Sequence, residues 1–362
     1  MPRCNNGGTG MIDRRKLIVG GLALGVATAA SAKVPNTTKR QAIEGIILPP
    51  DFNGALAYGR QGKLEHIRCV GLADVEDKRP VTPHTQFKWG SASKWVASAT
   101  ALRLVERDML SLDAPIATYL PDFRRDTGDR VLIKHLLSNT SGITDLLVPA
   151  IKADRSLLNL TERPATILAK YGRGDLKFTP GAGWDYTPLN WVIVAAVLER
   201  ITGKPLAELV GQMVLQPLHM TETGYAQMGQ PSMPGLAAAY GSVVPPVRKM
   251  TAVPAFLAGS GNTASTVRDA VRAAHGIFHT GLLSAGSRLE LTSVRWPDQE
   301  YALGGRVHAI GNEPWAWESG KVEGYRALIA HRLSRSETIV IFNTTDMSQS
   351  QIGDWAETIA TA

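Results

Sequence analysis

Cysteine is nearly absent from this 362-residue chain, which holds only Cys4 and Cys69. Cys4 falls in an N-terminal segment read below as removable, so Cys69 would stand alone in the mature protein and no internal disulfide could form. Lying between Arg68 and Val70, Cys69 reads as a small strand residue rather than a nucleophile. The sequence also has no His-Glu-x-x-His, no paired-histidine spacing and no Gly-x-Ser-x-Gly elbow; its eight histidines are scattered. Metal-dependent hydrolysis is therefore not expected, and no cofactor is implied. No Lys/Arg block with interleaved aromatics occurs, which argues against a nucleic-acid partner. Repeats of 20 to 50 residues and low-complexity tracts are missing too.

What the chain does have begins with an apolar run, Leu17 to Ala30, preceded by Arg14, Arg15 and Lys16 and followed by Ala30-Ser31-Ala32. That order is the pattern of a cleaved export signal, and the adjacent arginines suggest the twin-arginine type and a periplasmic destination. The run is shorter than the roughly 20 residues that span a bilayer, so no membrane span is expected after cleavage; an uncleaved anchor is the alternative. The first ten residues, before Met11, read as a flexible extension or a misassigned start. Residues 1–32 carry four basic side chains and one acidic one, so their loss takes the net charge from +7 to about +4.

Alternation of apolar and polar residues over 54–72, around Gly59-Arg60-Gln61-Gly62, predicts a hairpin. The same texture returns at Trp315 to Ser319, Tyr325 to Leu333 and Thr338 to Asn343, followed by a helix from about Gln351 to Thr361. Residues 94–254 are largely helical in pattern, with clear helices near 94–108 and 189–202 and a stop at Gly203. The economical fold class is α+β: an antiparallel sheet built from both chain ends, flanked by helices, with an inserted, mostly helical domain. The expected parts are an extension and signal over 1–32, a sheet domain from 33–104 plus 255–362, and a helical insertion over 105–254.

Ser91-Ala92-Ser93-Lys94 is the sole Ser-x-x-Lys in the chain, and it stands where Gly90 gives way to a helical run. Residues three apart share a helix face, so the Lys94 amine can reach the Ser91 hydroxyl and activate it. The helix start adds a backbone N–H and a favourable dipole for an oxyanion. Read alone, the motif is equally a helix cap with a solvated lysine.

The surrounding text, Phe87-Lys88-Trp89-Gly90-Ser91-Ala92-Ser93-Lys94, resembles the active-site helix start of class C β-lactamases and related D-alanyl-D-alanine carboxypeptidases and esterases. Residues 109–123, 131–143, 179–202 and 215–225 are similar to that family in the same order, so the resemblance runs over roughly 45–345. It implies the serine β-lactamase and penicillin-binding-protein fold and an acyl-enzyme on Ser91. It also implies that Tyr186 matches the tyrosine that deprotonates the serine and later the water. A phenol normally titrates near pH 10, so Tyr186 would need cations beside it, Lys94 first. As a bare sequence feature Tyr186 also reads as a half-buried aromatic. The family's asparagine two residues on is Pro188 here, and Asn190 matches a second asparagine of some carboxypeptidase relatives, which implies a candidate substrate-binding residue in its place; as a bare sequence feature it also reads as the start of the next helix.

The family's Lys-Thr-Gly or His-x-Gly strand aligns with Glu318, Ser319 and Gly320, and the backbone N–H of Lys321 falls where the second oxyanion donor lies. Glu318 thus replaces a cation. The expectation is that it pairs with Lys94 or Lys321 at the substrate site, repels carboxylates, and leaves a neutral or amine-bearing ester or amide as substrate. A small-molecule or peptide-like substrate is implied, with esterase or amidase chemistry ahead of carboxypeptidase and β-lactamase chemistry. An acyltransferase and a weakly reactive ligand-binding relative, the latter suggested by Pro188 and Glu318 together, are the other classes. The sequence leaves the oligomeric state open.

Overall fold

The structure is a computed structural model that describes residues 36–226, 233–250 and 253–362. The export-signal reading of 11–32 and Cys4 lie outside the described residues. The elements that place the site are helix α1 (Asn36–Gly45), strands β1 (Gly54–Arg60) and β2 (Lys63–Val70), helices α2 (Lys94–Val105), α3 (Pro188–Thr202) and α4 (Val267–His279), strands β3 (Arg306–Ile310), β4 (Glu313–Val322), β5 (Tyr325–Arg332) and β6 (Glu337–Asn343), and helix α5 (Gln349–Thr361). The six strands form one antiparallel sheet in the order β3-β4-β5-β6-β1-β2, so the first hairpin joins the last strand along β1 and β6.

Both faces of this sheet are buried, which is why its central strands read as nearly continuous apolar runs. Successive side chains still point to opposite faces. Leu56, Tyr58, Trp315, Leu328, Ile339 and Ile341 pack with Ile43 of α1 and Ile352 and Ile359 of α5. Ala55, Ala57, Ala316, Ala327, Val340 and Phe342 face the larger core shared with α2, α3 and α4. The terminal helices are tied to each other by Lys39, whose buried Nζ donates to the carbonyl oxygens of Ile359 and Ala360 at 2.9 and 2.8 Å. A cation on the last carbonyls of a helix satisfies groups that have no partner within it.

The expected hairpin, C-terminal strands and helices near 94–108 and 189–202 are all present, and Asn36–Ala362 form a single compact unit. The edge strand β3 and helix α1 were not expected: β3 is short and alternates weakly, and α1 has a polar sequence. Cys69 lies in β2 opposite Ala55, and burial pushes its thiol pKa up, as suits a strand residue and not a nucleophile. Among the described residues no helix is long and apolar enough to cross a membrane.

Candidate active site

Ser91 sits in a 3-10 turn, Gly90–Ser93, that runs directly into α2, of which Lys94 is the first residue. A tight turn followed by a helix keeps positions 91 and 94 on one side. The turn is pressed against β4 by two glycines. Gly90 has a φ of +53°, and a β-carbon there would lie 2.8 Å from the Lys321 nitrogen. A β-carbon on Gly320 would lie 1.7 Å from the Trp89 carbonyl oxygen and 3.0 Å from the Ser91 nitrogen. Only hydrogen fits in both places, so turn and strand approach backbone to backbone.

This approach brings the two predicted oxyanion donors into one place. Val322 pairs with Tyr325 across the β4–β5 hairpin and Lys321 with Arg326. The alternation of an antiparallel ladder then points the Lys321 N–H away from β5, toward the turn that carries Ser91.

Tyr186 arrives from the loop before α3, whose start is set by Thr187, its side chain accepting from the Leu189 N–H at 3.0 Å, and by Pro188 in the first turn. Proline is favoured there because its missing N–H would have no intrahelical partner. Lys94 Nζ donates to Tyr186 Oη at 2.6 Å, and Tyr186 Oη donates to Ser91 Oγ at 2.7 Å. Lys94 is 2% exposed and Tyr186 36%. Lys94 Nζ also stands 4.7 Å from the Tyr186 ring centre and 5.7 Å from that of Trp191. The three groups therefore form one continuous chain from a buried ammonium to a hydroxyl at the cavity mouth.

The cavity, of about 390 Å³, is lined by Gly90, Ser91, Lys94, Tyr186, Pro188 and Lys321, with Leu158, Val253, Leu257 and Val322 as apolar wall. Arg155 and Glu323 also line it and pair with each other. Sequence reasoning missed both, since each lies in a segment with no motif and the pair joins residues 168 apart.

Glu318 corrects the sequence reading. It is 1% exposed and its partner is Arg306 of β3, at 3.2 Å, not Lys94 or Lys321. It does not line the cavity. By alternation it shares a face of β4 with Ala316 and Gly320, so it points toward the start of α2 and away from any substrate. The charge expected to repel a carboxylate is thus not presented to the ligand. Burial raises its pKa to about 7, against the lowering effects of Arg306 and then Lys94. The Arg306 guanidinium also stands 5.4 Å from the Tyr301 ring centre, and Tyr301 meets Tyr186 edge-on at 6.2 Å.

Asn190 is the second correction. It is buried within α3, donating to Asn139 Oδ1 at 3.1 Å and accepting from Ser141 Oγ at 2.7 Å, and it does not line the cavity. Its helix turns it inward, toward the 139–141 loop. Ser319, on the opposite face of β4 from Glu318 and Gly320, also lies off the cavity lining, whereas Gly320 acts through backbone contact. Among the described residues no group of three or more His, Cys, Asp or Glu could hold a metal ion.

Comparison with known proteins gives the family and the fold. The sequence model of the family described as "Beta-lactamase" matches residues 50–362. Esterase EstB of Burkholderia gladioli is 37% identical over 184 residues, 48% of this chain and 47% of that protein. Teichoic acid D-alanine hydrolase of Staphylococcus aureus is 27% identical over 219 residues, 60% of this chain and 52% of its own. The matched stretch thus spans about half the length of these curated relatives. Among solved structures, the D-amino acid amidase of Ochrobactrum anthropi SV3, in complex with L-phenylalanine, superposes with a TM-score of 0.76 at 17% identity, covering 90% of this chain and 97% of its own. At that identity the likeness speaks for the fold.

Proposed function

This chain belongs to the beta-lactamase family, and from that premise we propose that it is a serine hydrolase that forms an acyl-enzyme on Ser91 and cleaves an ester or amide. The observation that carries the proposal is the unbroken chain from Lys94 through Tyr186 to Ser91, with both links under 2.8 Å.

The chemistry follows from who can hold each proton. The Tyr186 oxygen, its ionised form held by the Lys94 ammonium, takes the proton of Ser91 as Oγ attacks the carbonyl carbon. Charge that develops on the carbonyl oxygen is met by the backbone N–H groups of Ser91 and Lys321. Collapse of the intermediate breaks the bond to the alcohol or amine, which leaves with the proton from Tyr186. A water then gives its proton to the same oxygen and attacks the acyl carbon; the bond to Oγ breaks, the acid departs, and Oγ takes the proton back from Tyr186, which restores Ser91. The Leu158, Val253, Leu257 and Val322 wall favours a substrate with an apolar part, and the relatives named for ester and D-alanine hydrolysis support the same bond type.

Intact-mass analysis with a fluorophosphonate, alongside p-nitrophenyl ester hydrolysis, tests this reading. Wild type should gain one adduct and release p-nitrophenol, and Ser91→Ala should do neither. An adduct retained by Ser91→Ala, or none on wild type, overturns it.

Location is a second proposal and rests on residues 11–32 alone: export with cleavage after Ala32. N-terminal sequencing of protein recovered from a Gram-negative host should begin at Lys33; retention of the full signal in the folded product would count against it.

A further inference from the structure

Arg155 and Glu323 line the cavity and pair with each other, yet no hydrolytic step above uses either. They come from two separate segments. Arg155 opens a 3-10 turn, Arg155–Asn159, whose three-residue period sets it on the same side as Leu158. Glu323 directly follows Val322, the last residue of β4, in the two-residue loop that leads to β5. Each segment therefore gives the cavity one apolar side chain, Leu158 or Val322, and one charged side chain next to it.

The loop that carries Glu323 is fixed in place. Its second residue, Gly324, has a φ of +75°, and a β-carbon there would lie 2.7 Å from the Ala239 β-carbon and 2.8 Å from the Tyr240 nitrogen. The Gly324 N–H also donates to Asp346 Oδ1 at 3.2 Å. Glu323 follows the oxyanion donor Lys321 by two residues, so their α-carbons are no more than about 7 Å apart. The side chains of Arg155 and Glu323 are 61% and 47% exposed, which puts the pair at the rim of the cavity. An exposed ion pair adds little to stability, but this one keeps two long side chains together at the edge of the apolar wall instead of apart in bulk water.

We propose that the Arg155–Glu323 pair determines specificity by closing the end of the cavity: it admits esters or amides whose group on the Leu158 and Val322 wall is compact and uncharged, and turns back longer chains. The proposal rests on the acyl-enzyme reading of Ser91 and adds the substrate class to it. Each charge of the pair already has its partner, so a charged substrate group would have to displace one of them, whereas a short apolar group needs only the wall. A longer chain meets the pair and must part it or lay methylenes against two charges.

The test compares wild type with Arg155→Ala, Arg155→Glu, Glu323→Arg and the charge-swapped double variant Arg155→Glu/Glu323→Arg. The ratio of kcat/KM for long over short substrates is measured with p-nitrophenyl acetate, butyrate, octanoate and dodecanoate. A second series, acetates of alcohols from ethanol to octanol, is followed by pH-stat, so that either side of the scissile bond can occupy the wall. In at least one series wild type should fall off between four and eight carbons. There the long-to-short ratio should rise about tenfold or more in Arg155→Ala and in each single reversal, and the charge swap should return it to within about threefold of wild type. If Ser91 takes up fluorophosphonate but Arg155→Ala and the single reversals keep the wild-type ratio in both series, the specificity role is wrong and the acyl-enzyme reading stands. A swap that keeps the raised ratio of the single reversals overturns the role of the pair as a pair. If wild type takes up no fluorophosphonate, the acyl-enzyme reading falls, and this proposal with it.

Discussion

Gly320 and Trp89 touch so closely that a β-carbon on the glycine would stand 1.7 Å from the Trp89 carbonyl oxygen. This contact sets the separation between β4 and the turn that carries Ser91, and hence between the two backbone N–H groups that would share an oxyanion. Gly320→Ala must push strand and turn apart. Acylation of Ser91 should fall by about 10²-fold or more, the scale of losing one oxyanion donor, while substrate binding changes less. Pre-steady-state burst rates measure this directly; a wild-type burst in Gly320→Ala would show that the spacing is not what matters.

Tyr186 is the central link of the proposed proton path, yet it is 36% exposed. Removing its hydroxyl in Tyr186→Phe should therefore cost little stability and lower kcat by about 10²- to 10⁴-fold, the usual range for a general base. Urea titration beside ester hydrolysis separates the two effects. A variant that retains activity within about threefold would require another base.

Glu318 carries a pH signature of opposite sign to a surface salt-bridged carboxylate. Its folded pKa is raised from 4.5 to about 7 by burial, so between those values the folded protein keeps a proton that the unfolded chain has released. The contribution of this group to stability is full below about pH 4.5 and is lost as pH rises through about 7, by up to ~3 kcal/mol. Glu318→Gln has no such loss. The gain in unfolding free energy of the variant over wild type should therefore be larger at pH 8 than at pH 5. Denaturant melts at the two pH values decide it, and an equal difference at both would mean that the carboxyl titrates normally.

Asn190 is satisfied on both sides by Asn139 and Ser141. Asn190→Ala takes the acceptor from the Ser141 hydroxyl and the donor from Asn139 Oδ1, at about 1–3 kcal/mol for each group left unsatisfied. The expected variant is less stable but has near wild-type KM and kcat per folded active site, counted by fluorophosphonate titration. Normal stability with a raised KM would instead return Asn190 to the substrate site.

Parts of the site were legible because their geometry is local. Ser91 and Lys94 lie three residues apart at the start of a helical run, and that spacing alone puts them on one side of the turn. Gly320 and the Lys321 N–H came from the resemblance, which aligns this strand with the family's. Glu318 was misjudged for a physical reason: its partner comes from β3, an edge strand of five residues with too little pattern to predict. Its counter-ion Arg306 lies across that unpredicted pairing. Asn190 was misassigned because the inward face of α3 is decided by the 139–141 loop packed on it.

The sequence by itself determined the strand-rich chain ends, the long central helices with the stop at Gly203, and the placing of a hydroxyl and an amine on one side of a turn, since all of these follow from periodicity and short-range sterics. Tertiary structure alone decided that Tyr186, 92 residues from Lys94, closes the chain to Ser91, that Glu318 turns away from the cavity, and that Asn190 is buried. Contacts between distant segments depend on how whole layers pack, and the ionisation of a buried group depends on the charges that this packing brings beside it.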